Sequence, residues 1–339
     1  MSQRSIVWLG SLVCQVLMTL RLDGLNHRSL VWTSALSTDT WPSFQLGIGS
    51  SSRRSFCSKV AGGVTAHTAM SCASLVGNPA AANAAPPIKD IAGRLTSDTL
   101  TLPPPSSASE LNGIDNTYYP SFLQGEWDVT QTLVDIQAPL GLKYLGGPNA
   151  NLEIATKTFD DSKSKIGKPV KLRLRYVPTK WGVAEDRIFN YQARLDAFAG
   201  KSVVASVSYA DVGGCNRQSV LALGGTNDDP LQTTITYFKG PAAQKSFLTS
   251  HGAENLSEIS WAGYEVLRSI FALTNTNTAP PITTDVEYIW KFDKVDDLAV
   301  RGKLRIAEYL NAQSDLLYFD ARQRAVSFQD YTLDMRRIS

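Results

Sequence analysis

Apolar and polar residues alternate along several segments between residue 118 and the C-terminus. In one of the clearest, Val170, Leu172 and Leu174 alternate with lysine and arginine. Alternation with a period of two, rich in β-branched and aromatic residues, is typical of half-buried antiparallel strands. About nine such strands predict a mainly β fold, either an antiparallel barrel or a strongly curved sheet, because closure removes exposed strand edges. The candidate strands are 127–135, 151–159, 170–177, 202–210, 217–223, 231–238, 286–292, 298–309 and 328–335.

Two segments depart from this alternation and predict one or two helices. In 255–272 the apolar residues recur at helical spacing, and Asn255 is suited to cap the helix start. Glu265 and Arg268 would then lie one turn apart on the polar side. A second helix is predicted over 185–199. Such helices would pack against the sheet or close one end of a barrel.

The first 85 residues differ in charge and composition from the rest. They contain six basic and two acidic residues, a net charge of +4, whereas the remainder carries −2. An apolar run, a Ser/Thr-rich stretch, Arg53-Arg54, a weakly apolar segment and the small residues Ala82-Asn83-Ala84 follow in that order. This order resembles a signal peptide, a plastid transit peptide and a twin-arginine lumen signal. It predicts a targeting leader over 1–85 and delivery to the thylakoid lumen of a plastid.

Two alternatives to this leader stay open. The first alternative is that residues 1–85 are a low-complexity segment without a targeting role. The second is that only one of the two apolar runs works as a signal. Residues 86–117 contain a run of three prolines and a serine-rich patch, so we expect a flexible linker there. The folded domain is then expected over 118–339. It has no apolar run of 18 residues, which predicts no transmembrane span in the mature chain.

Gly125-Glu126-Trp127 stands at the opening of the first candidate strand. A Gly-x-Trp in that position resembles the calycins, the lipocalin-like barrels. The resemblance implies that Gly125 leaves room where the chain crosses the barrel end and that Trp127 plugs that end. It also implies an arginine of the last strand packed on the indole, and Arg336 is assigned to that plug, with Arg337 beside it.

A second resemblance covers nearly all of 118–339. The segments that carry it are 125–129, 134–140, 185–190, 216–218 and 264–271. They look like an uncharacterised domain family of cyanobacteria and plastids, so the resemblance implies the compartment and the barrel but no catalytic residue. The domain departs from the lipocalin pattern because it is longer than a minimal eight-stranded barrel and places a helix before the late strands.

Few residues are available for catalysis or metal binding. Beyond the leader, Cys215 is the only cysteine and His251 the only histidine. One of each cannot build a structural zinc site, and no Cys motif accompanies them. We therefore expect no metal, no cofactor and no catalytic residue. An enzyme would have to use carboxylates such as Glu126 or Glu287 with raised pKa values in an apolar pocket.

The sequence favours a protein that binds or carries an apolar small molecule such as a lipid, a carotenoid or a tetrapyrrole. The alternative for each aromatic residue is simple core filling. A second hypothesis is an auxiliary factor that docks on a photosynthetic membrane complex through the basic stripe Lys171, Arg173 and Arg175. A third is a calycin-like enzyme acting on a pigment or lipid. A net charge of +2 does not indicate nucleic-acid binding. The candidate ligand contacts are Trp127, Trp181, Trp261 and Tyr288, together with Asn216, Arg217 and Gln218.

Overall fold

Ten antiparallel strands form a single curled half-barrel sheet, which confirms the prediction of a mainly β, strongly curved antiparallel fold. The computed structural model describes residues 90–105, 116–145, 152–179, 181–209, 234–275 and 280–338. The strands are β1 Gly125–Gln137, β2 Pro169–Pro178, β3 Val183–Glu185, β4 Val204–Tyr209, β5 Thr234–Phe238, β6 Ala242–Ser257, β7 Ser260–Leu273, β8 Ile282–Lys294, β9 Ala299–Tyr309 and β10 Ser327–Arg337. The α-helices within these ranges are α1 Ile91–Arg94, α2 Leu152–Lys163, α3 Arg187–Ala199 and α4 Tyr318–Ala321, and two short 3-10 helices span Ser121–Leu123 and Leu142–Tyr144.

The order of strands in the sheet follows the chain except at one place. β4 to β10 are consecutive antiparallel neighbours, β10 pairs with β1, and β1 is followed outward by β2 and β3. β3 and β4 are therefore the two edges of the sheet, and α3 connects them along the chain. α3 packs against β2 and β4, and its side chains reach residues on the concave face of the sheet. The predicted helix over 185–199 is confirmed.

Strand alternation separates the side chains into a concave and a convex face. On the concave face Trp127, Trp290 and Leu304 belong to one large buried cluster. On the convex face Tyr264 and Ile289 pack against Ile91 and Leu100, among others. Both faces of the central strands are therefore buried.

The convex cover is supplied by residues 90–105, which we call the strap. Its backbone joins the domain through Ala325 N–H, which donates to Leu100 O at 2.9 Å, and Leu102 N–H, which donates to Gln323 O at 2.9 Å. Arg305 Nη1 donates to Ser97 O at 2.6 Å. The strap lies inside the segment 86–117 that the sequence predicts to be a linker, and this part of it packs as an element of the folded domain.

The predicted helix over 255–272 is wrong, because this segment holds the end of β6, a tight turn and most of β7. Residues 261–267 are all buried, so the alternation that marks a half-buried strand is absent and the apolar residues also fit helical spacing. Asn255 lies within β6 and caps no helix. Glu265 and Arg268 point to opposite faces, where they bind Arg187 and Asp285.

The predicted strand over 151–159 is also wrong. Residues 152–163 form α2, in which Ala155, Thr158 and Ser162 are the buried positions. Their spacing of three and four residues is that of one helical face. The other candidate strands are confirmed except 217–223, which lies outside the described residues.

Candidate functional site

Trp127 closes one end of the concave face. Its side chain is 0% exposed, and its indole N–H donates to Leu123 O at 2.7 Å. The Arg337 guanidinium carbon lies 4.8 Å from the centre of the ring, and Arg337 Nη2 donates to Phe122 O at 2.8 Å. Gly125 begins β1 with φ of 121°, a conformation that favours glycine.

The assignment of Arg336 to this plug is wrong by one residue. In the β1–β10 register Trp127 faces Arg337, whereas Arg336 faces Asp128 on the opposite side of the sheet. Arg336 is exposed there. Because side chains alternate along a strand, only one of two neighbouring arginines can reach the indole.

Aromatic rings fill the concave face next to the plug. Tyr119 lies 4.9 Å from Tyr176 and 5.0 Å from Trp261 between ring centres, and Trp261 stacks on Phe292 at 6.0 Å. Such spacings are those of packed aromatic pairs in protein cores. Two of the candidate ligand contacts, Trp127 and Trp261, therefore belong to this filled end.

The remaining candidate contacts lie elsewhere. Tyr288 is half-buried at the border of the aromatic cluster, where it stacks on Trp290 at 5.8 Å. Trp181 lies in the connection between β2 and β3, half-buried, and is not a member of the concave cluster. Residues 216–218 lie outside the described residues.

A buried ion network holds α3 over the concave face. Arg187 Nη1 and Nη2 donate to the two carboxylate oxygens of Glu265 at 2.9 and 2.8 Å. Arg194 and Asn190 donate to Glu185 Oε1. Burial disfavours the charge on Glu185, but the positive charges of Arg194 and Arg187 outweigh it and lower its pKa. Because buried charges are stable only when paired, this network fixes α3 relative to β7.

Beyond the aromatic end, three neighbouring strands place six side chains together on the concave face. Two rows of paired residues cross these strands from β8 through β9 to β10. Val286, Glu308 and Ser327 form one row, and Tyr288, Ile306 and Gln329 form the next. Tyr288 and Ile306 are half-buried and pack against the border of the aromatic cluster. We call this set the concave patch: Val286, Tyr288, Ile306, Glu308, Ser327 and Gln329.

Glu308 is the unusual member of the concave patch. It is 8% exposed, and within the described part of the chain its Oε1 is buried without a hydrogen-bond partner. Burial, with a smaller effect of the Asp315 charge, raises its pKa to about 8. Buried polar groups in native proteins are nearly always paired, and a buried titratable group with a perturbed pKa marks a candidate site. The patch around Glu308 is therefore the candidate functional site.

A second buried atom on the concave face, Gln244 Oε1, also lacks a hydrogen-bond partner among the described residues. Gln244 Nε2 donates to Ser246 Oγ at 3.0 Å and to Ser269 Oγ at 3.1 Å. The concave face thus changes along the strands, from packed aromatic rings near the plug to polar groups toward the other end.

The carboxylates proposed for an enzyme occupy different surroundings. Glu287 lies on the convex face beneath the strap, where Arg94 Nη2 donates to its Oε2 at 2.7 Å. Burial raises the pKa of Glu287 even though the charge and hydrogen bond of Arg94 oppose the shift. Glu126 is half-buried beside Arg173, 3.4 Å away. Neither carboxylate belongs to the concave patch.

In the basic stripe on β2, Arg173 and Arg175 meet acidic partners. Arg173 lies 3.4 Å from Glu126 and 3.3 Å from Asp128, and Arg175 Nε donates to Asp186 at 2.6 Å. These pairs reduce the free positive charge that the stripe offers to a docking partner. In the described ranges, no cluster of three His, Cys, Asp or Glu side chains is suited to hold a metal ion. The helices described there are all too short or too polar to cross a membrane.

The fold and the site define a mainly β half-barrel protein with a plugged end and a polar patch on its concave face. The chain belongs to the family described as Domain of unknown function (DUF6816), which matches residues 112–339. No curated protein and no solved structure matches it.

Sequence reasoning missed Glu308, although a signal for it was present. In the strand 298–309 the residues Leu304, Ile306 and Glu308 share one face by alternation, so the pattern itself places a carboxyl group among apolar side chains. The ion pairs that hold α3 and the strap had no such signal. Arg187 and Glu265 are 78 residues apart, and Arg94 and Glu287 are 193 apart.

Proposed function

We propose that this protein is a non-catalytic carrier or binder of an apolar small molecule and that it works in the thylakoid lumen of a plastid. The observation that carries the proposal is the concave patch, where half-buried apolar side chains adjoin a buried carboxyl group that lacks a partner among the described residues. Curved β-sheets with such concave interiors commonly hold small apolar ligands between a few polar anchors.

The apolar part of the patch supports this function. Tyr288 and Ile306 face each other across β8 and β9 and stay half-buried, although both adjoin the filled cluster. From the other side Phe198 of α3, also half-buried, approaches Tyr331 edge-on at 6.2 Å. A ligand placed between α3 and these strands would remove apolar surface from water, which is the main driving force for binding molecules of this class.

The compartment rests on the leader and on the resemblances. The order of apolar run, Ser/Thr-rich stretch, twin arginine and Ala82-Asn83-Ala84 supports a plastid lumen address. The likeness to a cyanobacterial and plastid domain family supports the same compartment, and the Gly-x-Trp of the lipocalin-like barrels supports a carrier role. A lipid, a carotenoid or a tetrapyrrole has the size and apolar character that the proposal requires.

Isolation from native cells tests the proposal. The full chain with a C-terminal tag is purified from its own cells, and bound pigment or lipid is identified by absorption spectra and mass spectrometry. We expect one class of apolar ligand at a defined stoichiometry. Absence of any co-purifying ligand, together with no binding of added pigment or lipid, would overturn the proposal.

A matched pair of variants locates the ligand. Ile306→Trp fills the concave patch with a larger ring, whereas Lys303→Trp adds the same ring to an exposed convex position of β9. We expect the first variant to lose the ligand and the second to retain it. Equal ligand content in the two variants would exclude the concave patch as the site.

A further inference from the structure

The polar end of the concave patch holds the Glu308 carboxyl group near that of Asp315, and no cation among the described residues compensates the charge that Glu308 gains above its pKa of about 8. Asp315 lies close enough to Glu308 to raise its pKa further, and Asp315 itself is held by Asn311 N–H at 2.7 Å. The neighbouring cations are already bound on the convex face. Arg268 donates to Asp285 at 2.7 and 3.0 Å, and Arg305 donates to Asp330 at 2.7 and 2.8 Å.

This charge distribution discriminates among ligand head groups. A carboxylate or phosphate placed beside ionised Glu308 would be repelled by it and by Asp315, with no described cation to offset the repulsion. A hydrogen-bond donor would instead satisfy the buried oxygen that has no partner. A protonated amine would do both, because it donates hydrogen bonds and its positive charge favours the ionised form of Glu308.

The surrounding side chains determine the chemical character of the rest of the ligand. Val286 pairs with Glu308 across β8 and β9, and Tyr288 and Ile306 form the adjoining row. These three side chains are apolar along most of their surface, so the part of the ligand that follows the head group must be apolar as well.

We propose that the concave patch selects amphiphiles by their polar end, binding those with a hydrogen-bond donor, and an amine most tightly, at Glu308 while rejecting anionic head groups. The inference rests on the proposed function, because it assigns the ligand class of the same site. Glu308 anchors the donor, and Val286, Tyr288 and Ile306 contact the apolar body.

Three probes with the same ten-carbon chain test the selection: decylamine, decanol and decanoate. Calorimetric titration of the full chain at pH 9, where Glu308 is ionised and the amine is still protonated, gives the dissociation constant of each. We expect decylamine to bind roughly tenfold or more tightly than decanol, since a hydrogen bond to a charged group is worth about one to two orders of magnitude, and decanoate to bind most weakly.

The variant Glu308→Gln separates the head-group preference from binding of the chain. It keeps the shape of the side chain and removes its charge, so decanol should bind as before while the preference for decylamine falls to within about threefold. Asp334→Asn makes the same chemical change at an exposed position of β10 and should leave all three affinities unchanged. Retained decanol binding also shows that the variant is folded.

The outcomes distinguish the two proposals. Equal binding of the three probes by the unmodified protein, or an amine preference that survives Glu308→Gln, would overturn the head-group selection and leave the carrier function intact. Binding of none of the three probes, with no ligand recovered from native cells, would overturn both.

Discussion

Two buried glutamates on neighbouring strands have opposite surroundings. Glu287 of β8 faces the convex side, where it receives two hydrogen bonds from Arg94 at 2.9 and 2.7 Å and one from the Tyr309 hydroxyl at 2.6 Å. Glu308 of β9 faces the concave side, and in the described part of the chain its Oε1 accepts none. The two carboxyl groups thus differ in partners although both are removed from water.

The difference separates a structural face from a candidate binding face. Burial raises the pKa of both groups, but the charge of Arg94 opposes the shift at Glu287, whereas the charge of Asp315 adds to it at Glu308. The strap therefore completes the convex side as a closed protein interior. On the concave side the Glu308 Oε1 atom has no such partner among the described residues, and this is where we propose that a ligand binds.

The largest effect on stability is expected from removing the cation that pairs with Glu287 on the convex face. Arg94→Met leaves Glu287 buried without its cation, and losing one partner of a buried pair typically lowers the free energy of unfolding by about 3–5 kcal/mol. Urea denaturation measures the change. The double variant Arg94→Met with Glu287→Gln should recover part of the loss, because a neutral amide is less costly to bury than a carboxylate. A single variant within about 0.5 kcal/mol of the unmodified protein would mean that the strap does not close this site.

The next effect concerns Glu308 and depends on pH. Its pKa is about 8 in the folded protein against an ordinary 4.5, so between these values the folded state keeps a proton that the unfolded state loses. This group therefore makes stability fall by about 1.4 kcal/mol per pH unit from roughly pH 5 to 8, and the loss is complete above pH 8.

Glu308→Gln tests this dependence. We expect the variant to match the unmodified protein near pH 4 and to exceed its free energy of unfolding by about 3 kcal/mol near pH 7. Urea denaturation at unit steps from pH 4 to 9 measures the difference between the two proteins at each pH. Two parallel curves would show that Glu308 is not held protonated by its surroundings.

The same comparison explains what could be predicted from the sequence. Strands with one wet face, such as β2, were found because alternation records which side is buried. β7 was missed because the strap covers its convex face, and the strap itself looked like a linker since its proline-rich composition gives no sign of the partners it meets. Trp127 was placed by its Gly-x-Trp context, but the choice between Arg336 and Arg337 depends on the register of β10 against β1.

The hydroxyl groups of Tyr309 and Tyr331 each donate one hydrogen bond, the first on the convex face and the second on the concave face. Tyr309→Phe removes the donor to the Glu287 carboxylate, and a hydrogen bond to a charged group contributes about 1.5–3 kcal/mol. Tyr331→Phe removes a donor to Gln329 Oε1, 2.7 Å away on the concave face, and a neutral pair contributes about 0.5–1.5 kcal/mol. Urea denaturation should therefore show the greater loss for Tyr309→Phe. The reverse order would contradict the assignment of the convex side as the closed one.

The smallest expected effect on stability comes from the two neighbouring arginines at the end of β10, only one of which contacts the plug. Arg337→Met removes the guanidinium from the Trp127 ring and its hydrogen bond to Phe122 O, which should lower the free energy of unfolding by about 1 kcal/mol. Arg336→Met changes the exposed neighbour and should stay within about 0.5 kcal/mol of the unmodified protein. Thermal denaturation of the two variants measures the stability of each. Because the two substitutions are chemically identical and adjacent, equal losses would mean that the register of β10 on β1 does not determine which arginine supports the plug.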